Sequence, residues 1–498
     1  MKTHALTATS RRSSLALLAA FALSSSLGAQ ARQQADALDR TKVPDAGKTP
    51  ELRVPSWTKT KLPNGADFIV SRKPGLPLVS VRIDFVGGTA QYEDPAKLGL
   101  ASLTTNMMTE GTTTRSGDQL ANAQQLLGTN VTTFVTRESG FMGFTALTDK
   151  LEPALDLMAD MMLNPSFPND ALERRKGELL VNIKAAQDRP TSVASNVFAK
   201  VLYGEEHPYG RVTTEQTAGS VTRDDVVAFH RNYFQPGRAI VTVVGDVEPA
   251  RARAAFEKAF ANWQPGGARP SFDYPPAPAP RSRTIYLVDK PKAAQSVFAI
   301  GLPGPTRDNP DYYAIEVMNT VLGQLFMSRL NKTIREDKGY SYGAGSGFQF
   351  GKGPGAFRAG SNGVVTAKTD SALIEFMNEL RGVQGEKPFT EDEIQQGKES
   401  LIQSLPAQFG RVNGVANAIS DIYVDGLSET YYQQFASKVN AVTSQDMERV
   451  ARKYIDLNNL NIIIVGDRAV IEEPLRKTGI APIVLLDIDG KPVPAATP

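Results

Sequence analysis

Apolar and polar residues alternate along several stretches of the chain, and this pattern predicts β-strands. Residues 79–85 are the clearest case, because valine, isoleucine and phenylalanine occupy every second position there. A period of two places these side chains on one face, so a strand with one buried face is expected. Pro63, Asn64 and Gly65 are typical of a hairpin turn. Strands are predicted at residues 58–62, 67–72, 79–85, 130–136, 141–147 and 240–244.

Helices are predicted between these strands, and their starts carry capping signals. Ser116 with Gln119 forms a capping box, and Asp149 with Glu152 forms a weaker one. The chain is then largely helical to residue 235 before the last of these strands. Antiparallel strand pairs combined with runs of helices indicate the α+β class.

The second half of the chain repeats the first. Residues 221–246 align without a gap on residues 442–467, with eight identical positions that include Tyr233 and Tyr454. A predicted helix leads into a predicted strand at the same place in both copies. Such a match at one constant offset indicates a single fold used twice.

A stretch rich in proline and glycine separates the two copies. Residues 264–283 favour an extended, semi-rigid spacer over a packed element. The predicted N-terminal domain therefore spans residues 57–263, and the predicted C-terminal domain spans residues 284–490. Each is near the upper end of the usual domain size.

The first 31 residues resemble a secretory signal peptide. A basic start containing Arg11 and Arg12 precedes an apolar run at residues 15–27, which is shorter than the roughly 20 residues that span a bilayer. The small-x-small sequence at residues 29–31 predicts cleavage after Ala31. The two arginines leave both the general secretory and the twin-arginine routes open. Export to the periplasm is expected.

The composition of the remaining chain argues against several classes of partner. Removing residues 1–31 takes away three basic and no acidic residues, which leaves 52 basic and 53 acidic residues. This balance gives no reason to expect nucleic acid or an anionic membrane surface as a partner. Cysteine is absent, so neither disulfides nor a lipid anchor on cysteine is expected. Residues 32–56 are polar and predict an extended lead-in.

One segment carries the frame of a catalytic helix without its chemical residues. Residues 98–112 read LGLASLTTNMMTEGT, and Ser102, Thr105 and Asn106 are spaced to share one helix face. The segment resembles the zinc motif of the insulinase/pitrilysin metallopeptidases, which has histidine, glutamate and histidine at these positions. In that family the histidines bind zinc and the glutamate activates a water molecule.

The other potential zinc ligands are missing too. The family takes its third ligand from a glutamate on a later helix, and Asn182 occupies the matching position here. Neutral hydroxyl and amide groups are poor zinc ligands. His207 and His230 are the only histidines after Ala31 and form no cluster, so this chain is expected to hold no metal. Ser102 lacks a nucleophile-elbow motif, which favours small, mutually hydrogen-bonded groups at the vacated positions.

The second half keeps a pair of residues that the family uses. Residues 323–345 read GQLFMSRLNKTIREDKGYSYGAG, which resembles the segment that ends in L-R-E-x-x-G-x-x-Y. The resemblance assigns Arg335 and Tyr342 to binding of the substrate carbonyl and stabilisation of the tetrahedral intermediate. A guanidinium and a phenol suit that role as fixed donors. The same run is also typical of a solvated helix end followed by a half-buried strand.

The resemblance covers residues 55–470 and implies a fold and a division of labour. The expected fold is two homologous α+β domains, each a mostly antiparallel sheet with helices on one face. The expected function is that of the non-zinc subunit of a two-subunit peptidase, whose partner carries zinc on an intact H-x-x-E-H motif and whose substrates are unfolded peptides. An inert scaffold and a peptide-binding or chaperone-like subunit remain alternatives.

Overall fold

The computed structural model describes residues 52–278 and 282–493, and these residues belong to one compact unit. The predicted signal peptide and residues 32–51 of the predicted lead-in lie outside the described residues. Residues 52–56 have no regular secondary structure. Trp57 follows them, and its indole nitrogen donates a hydrogen bond of 2.8 Å to the hydroxyl of Tyr423 in the second half.

The first sheet contains six strands in the order β1-β2-β6-β3-β5-β4. They are β1 (Thr58–Lys61), β2 (Asp67–Arg72), β3 (Leu78–Val86), β4 (Thr132–Val135), β5 (Ser139–Leu147) and β6 (Ala239–Gly245). Every predicted strand of this half is present, with ends shifted by at most a few residues. Only the β2–β6 pair is parallel.

The second sheet repeats this arrangement, in the order β12-β7-β11-β8-β10-β9. Its strands are β7 (Thr284–Asp289), β8 (Gln295–Pro303), β9 (Gly345–Gln349), β10 (Ala356–Val365), β11 (Asn461–Gly466) and β12 (Ile483–Leu486). Five strands of each sheet share one order, while the outermost strand is antiparallel in the first sheet and parallel in the second. The predicted pair of homologous, mostly antiparallel α+β domains is confirmed.

The helices follow the same repeat. In the first half they are α1 (Thr89–Tyr92), α2 (Leu100–Met107), α3 (Gly117–Leu127), α4 (Leu151–Leu163), α5 (Asn169–Asp188), α6 (Pro190–Tyr203), α7 (Glu215–Gly219), α8 (Arg223–Tyr233) and α9 (Pro249–Ala259). In the second half they are α10 (Tyr312–Asn319), α11 (Arg329–Asn331), α12 (Thr369–Arg381), α13 (Glu391–Phe409), α14 (Val412–Asp425), α15 (Tyr431–Asn440), α16 (Ser444–Tyr454) and α17 (Arg468–Lys477). Across residues 52–278 and 282–493, no helix combines the length and apolar character needed to cross a membrane.

Side-chain capping marks some helix starts and is absent from others. The predicted capping box of Ser116 and Gln119 begins α3. The weaker box predicted at Asp149 is wrong, because residues 148–150 form a 3₁₀ turn and α4 begins after Lys150 without a side-chain cap. Ten of the thirteen side chains in α4 are apolar, and burial of this face stabilises the helix more than a cap would.

Each sheet is covered on one face by helices of its own half and on the other by a helix of the opposite half. Helix α6 of the first half packs on β8 and β11, and helix α14 of the second half packs on β3 and β6. Val197 and Leu202 of α6 lie in a buried cluster with residues of the second sheet. Ile419 of α14 lies in a cluster that also contains Ile240 of the first sheet. The two halves therefore share their cores.

A polar contact joins the same two halves at their loops. The carboxylate of Glu138, in the β4–β5 turn, accepts hydrogen bonds from the backbone N–H groups of Lys352 and Gly353 in the β9–β10 turn. It also accepts hydrogen bonds from the hydroxyl of Tyr209 and, at 3.0 Å, from that of Tyr274 in the proline-rich stretch. Five donor contacts to one carboxylate fix the two turns and this stretch against each other.

Candidate functional site

The helix that matches the zinc motif is α2, and its start is held by backbone contacts. Gly99 precedes it with a φ of 102°, a left-handed conformation that favours glycine. One carboxylate oxygen of Glu93 accepts hydrogen bonds from the N–H groups of Gly99 and Ala101, at 3.0 and 2.8 Å. Burial raises the pKa of Glu93, and these hydrogen bonds act in the opposite direction. The backbone frame of the motif is thus intact.

The three chemical positions of this helix hold no site. Ser102 and Asn106 are exposed, and their side chains make no hydrogen bond to each other, so the expected mutual bond is wrong. Water reaches both side chains, so neither needs a protein partner. Thr105 is buried, and its hydroxyl donates to the carbonyl oxygen of Ser102 at 3.0 Å.

The residues of this region do not fit zinc. Helix α2 packs against α5, the helix that carries Asn182. Asn182 itself is exposed. Within residues 52–278 and 282–493, no group of three or more histidine or acidic residues could hold a metal ion. We therefore derive no metal chemistry from this chain.

Both histidines of the described chain pack within the fold and hydrogen-bond to the backbone. His207 is buried, with its Nδ1 accepting a hydrogen bond of 3.0 Å from the N–H of Tyr209, and burial lowers its pKa. His230 lies between the rings of Phe167 and Phe234, and its Nε2 lies 2.8 Å from the carbonyl oxygen of Met162. The two rings serve different local contacts, so they form no joint metal site.

Arg335 and Tyr342 line the same cavity, which has a volume of about 1410 Å³. Arg335 lies in the π-helical segment Lys332–Asp337, with its guanidinium carbon 4.5 Å from the centre of the Phe326 ring. Its Nε lies 3.2 Å from a carboxylate oxygen of Glu336. Tyr342 is 88% exposed. Both donors are therefore accessible to a molecule in the cavity.

A tight turn places these two residues. Gly339 has a φ of 63°, and its N–H donates to the carbonyl of Arg335 at 3.1 Å. The next residue, Tyr340, packs against the core of the second half, whereas Tyr342 points to solvent. The half-buried pattern expected of a plain strand thus applies to Tyr340. It leaves the exposure of the Tyr342 side chain without a packing explanation.

Sequence reasoning missed a second arginine of the cavity. Arg358 lies on β10 and lines the cavity with Arg335. No motif surrounds it, and an isolated arginine in a strand is not a functional signal by itself. Its place follows from the pairing of β10 with β8 and β9, which only the tertiary structure reveals.

Comparisons with known proteins agree with this geometry. Residues 68–212 match the sequence family described as Insulinase (Peptidase family M16), and residues 220–401 match the one described as Peptidase M16 inactive domain. An uncharacterized zinc protease of Bacillus subtilis is 24% identical over 393 residues, which cover 78% of this chain and 93% of the relative.

Solved structures show the same fold. A peptidase M16 inactive domain from Pseudomonas fluorescens matches with a TM-score of 0.76 and 24% identity, over 82% of this chain and 98% of that one. A protease from Helicobacter pylori matches with a TM-score of 0.74 and 18% identity, over 82% of this chain and 99% of that one. With the two sequence families matched in succession and the motif helix in place, this chain belongs to the insulinase family, peptidase family M16.

Proposed function

We propose that this chain is the non-zinc subunit of a heteromeric metallopeptidase and that Arg335 and Tyr342 act on the substrate carbonyl. The observation that carries the proposal is the contrast between the two halves. The motif helix has no residue that suits zinc, whereas Arg335 and Tyr342 of the other half are accessible in one cavity. The matches to two domains of one peptidase family support a role in peptide cleavage.

The chemistry of this chain's residues suits carbonyl activation. The guanidinium of Arg335 presents several donors in a fixed plane. Its contact with the ring of Phe326 restricts its orientation. The phenol of Tyr342 adds one donor that can meet an oxygen as negative charge develops on it. Donors held in place before reaction stabilise the transition state without reorganisation.

The partner in this proposal is a second insulinase-family chain with an intact H-x-x-E-H motif, which supplies zinc and the glutamate base. The two subunits close around a chamber, which admits unfolded peptides and excludes folded proteins.

We further propose that the chain is exported and cleaved after Ala31. N-terminal sequencing of the protein purified from its native host tests this location, and an intact Met1 would contradict it.

A peptide-cleavage assay tests the assignment. The chain alone is expected to be inactive, and its mixture with the zinc-bearing chain is expected to cleave an unstructured peptide. Arg335→Ala and Tyr342→Phe should each lower kcat of the mixture about 100-fold, the effect of removing one oxyanion donor. Sedimentation of each mixture should show an unchanged complex.

Two matched variants control for unspecific effects. Lys332→Ala removes an exposed charge from the same π-helical segment, and Tyr340→Phe removes a hydroxyl two residues from Tyr342. Both should cleave at the wild-type rate. Wild-type turnover by both Arg335→Ala and Tyr342→Phe would refute the catalytic assignment and favour the inert scaffold. Peptide binding without cleavage in any mixture would favour the chaperone-like alternative.

A further inference from the structure

The cavity that contains Arg335 and Tyr342 has an unbalanced charge. Of its lining residues in the described chain, only Arg335 and Arg358 are charged, and both are cationic. The rest are mainly glycine, serine, asparagine and glutamine. The first turn of α6, which supplies Thr191 and Ser192, contains no acidic residue. The residues that line the cavity therefore carry positive charge and include no carboxylate.

Arg358 lies at the floor of this cavity and is half-buried. Its neighbours across the sheet are Gly301 on β8 and Gly347 on β9, so bare backbone flanks it on both sides. Helix α6 covers it from the first half. The Arg358 Nη1 donates a hydrogen bond of 3.2 Å to the hydroxyl of Ser195, and its guanidinium carbon lies 5.4 Å from the centre of the Phe198 ring.

No carboxylate compensates this guanidinium. Among the described residues, its one side-chain hydrogen bond is to a neutral hydroxyl, and burial alone lowers the pKa of Arg358. A partly desolvated charge without a counterion is costly, and an incoming anion would remove much of that cost. Arg335 differs from it, because the carboxylate of Glu336 lies 3.2 Å away. Arg358 is thus the less compensated of the two charges.

We propose that Arg358 forms a carboxylate-binding subsite that selects acidic segments among the peptides entering this cavity. The inference rests on the proposed function, since it specifies which unfolded peptides that cavity prefers. Arg358 would pair with a carboxylate of the peptide, while Arg335 and Tyr342 meet a backbone carbonyl. The carboxylate comes from an internal aspartate or glutamate or from the free C-terminus of the peptide.

Peptide binding to the full chain alone tests the subsite without any partner. Unstructured peptides of glycine, serine and alanine, labelled with an uncharged fluorophore, would be titrated at low salt and followed by anisotropy. The reference peptide has an amidated C-terminus and no charged residue. A second peptide adds an internal glutamate to it, and a third adds an internal lysine. A fourth has a free C-terminal carboxylate in place of the amide. We expect the glutamate or free-carboxylate peptide to bind about tenfold more tightly than the uncharged one.

Variants separate recognition by Arg358 from general effects of charge. Arg358→Gln should abolish the carboxylate preference and leave binding of the uncharged peptide unchanged, and Arg358→Lys should retain part of the preference. Arg231→Gln removes an exposed charge on α8 and should retain it fully. Ser195→Ala removes the neighbouring hydroxyl but no charge and should also retain it, which excludes simple loosening of α6.

The outcomes distinguish this inference from the proposed function. A preference for either carboxylate that depends on Arg358 supports the subsite, and the two arms show which carboxylate is bound. Equal binding of all peptides, tighter binding of the lysine peptide, or a preference unchanged in Arg358→Gln overturns it. An intact preference combined with no cleavage in any mixture would refute the catalytic proposal and leave the subsite standing.

Discussion

Individual residues of the emptied motif show how a catalytic position can be lost without cost to the fold. Ser102 and Asn106 are exposed, so solvent satisfies their polar groups and no partner is required. Thr105 is buried, and its hydroxyl bonds to the carbonyl of Ser102 within the same helix. The helix start depends instead on Gly99 and Glu93. Substitutions at the three chemical positions were therefore free of strong structural constraint.

A single buried histidine predicts how stability depends on pH. Burial lowers the pKa of His230 to about 4, although the carbonyl of Met162 favours its protonated form. In the unfolded chain the pKa returns to about 6.5. The unfolded state therefore binds the proton first as the pH falls, and stability from neutral His230 is lost between about pH 6.5 and 4. The loss amounts to at most about 3 kcal/mol.

The pH dependence of urea unfolding measures this effect. His230→Gln keeps a side-chain donor but cannot titrate, so its free energy of unfolding should fall less steeply than that of the wild type across this range. Carboxylates contribute equally to the pH dependence of unfolding in both proteins, so their contribution cancels when the two free energies are subtracted. Parallel curves for the two proteins would show that the pKa of His230 is the same in the folded and unfolded chains.

At the scale of single elements, equivalent helices of the two halves begin in the same way. Thr222 caps α8 and Thr443 caps α16, and each forms a reciprocal capping box with an aspartate three residues later. Both helices begin and end at equivalent positions of the aligned repeat. The local sequence thus determines where these two helices start, whatever each packs against.

Removing either cap should have the same cost. Thr222→Ala and Thr443→Ala each remove a side-chain acceptor for a helix N–H group, so each is expected to lower the free energy of unfolding by about 1 kcal/mol. Thr→Ser at the same positions keeps the hydroxyl and should change stability little. Urea denaturation of the four variants gives the comparison. A cost at one position only would mean that tertiary contacts replace the cap in that half.

The elements around the cavity depart from regular helix geometry. Segments Thr320–Gln324 and Lys332–Asp337 are π-helical, and both contribute residues to the cavity wall. Such segments occur often at functional sites because they redirect side chains. The sequence of Lys332–Asp337 resembles an ordinary charged helix end. In the structure the segment packs against α11 and α12, contacts that its own sequence does not reveal.

For the whole molecule, the exchange of α6 and α14 makes the two halves one cooperative unit. Leu202 and Ile419 are almost fully buried, each against the sheet of the opposite half. Leu202→Ala and Ile419→Ala are each expected to cost about 2–5 kcal/mol. Because each helix belongs to both cores, the loss should destabilise both halves together.

The two tryptophans of the chain report on the two cores separately. Trp263 is buried in the first half, and Trp57 packs against the core cluster of the second half. Leu202→Ala would be made in a Trp57→Phe background, which retains Trp263, and in a Trp263→Phe background, which retains Trp57. The urea midpoint of the fluorescence change should decrease by the same amount in both backgrounds. Leu126→Ala, at a site 86% exposed, should leave both midpoints unchanged. A decrease seen by one tryptophan alone would mean that the halves unfold independently.

The sequence alone was sufficient for the repeat, the strands and the lost zinc ligands. These features depend on local periodicity, local capping and the identity of single residues, which need no knowledge of distant contacts. Arg335 and Tyr342 were identified from the resemblance to the family's L-R-E-x-x-G-x-x-Y segment, in which they lie seven positions apart with Gly339 between them. The sequence did not reveal that Ser102 and Asn106 form no hydrogen bond with each other, because the exposure of their side chains depends on what surrounds the helix.

Only the tertiary structure decided which residues meet across the chain. The exchange of α6 and α14 brings Ser195 of the first half to Arg358 of the second, which are 163 positions apart. No periodicity encodes such a contact, because it results from how two sheets share their covering helices. The sequence therefore determined that this chain has two similar halves, one with an emptied zinc motif. Long-range packing determined the cavity between them and the arginine at its floor.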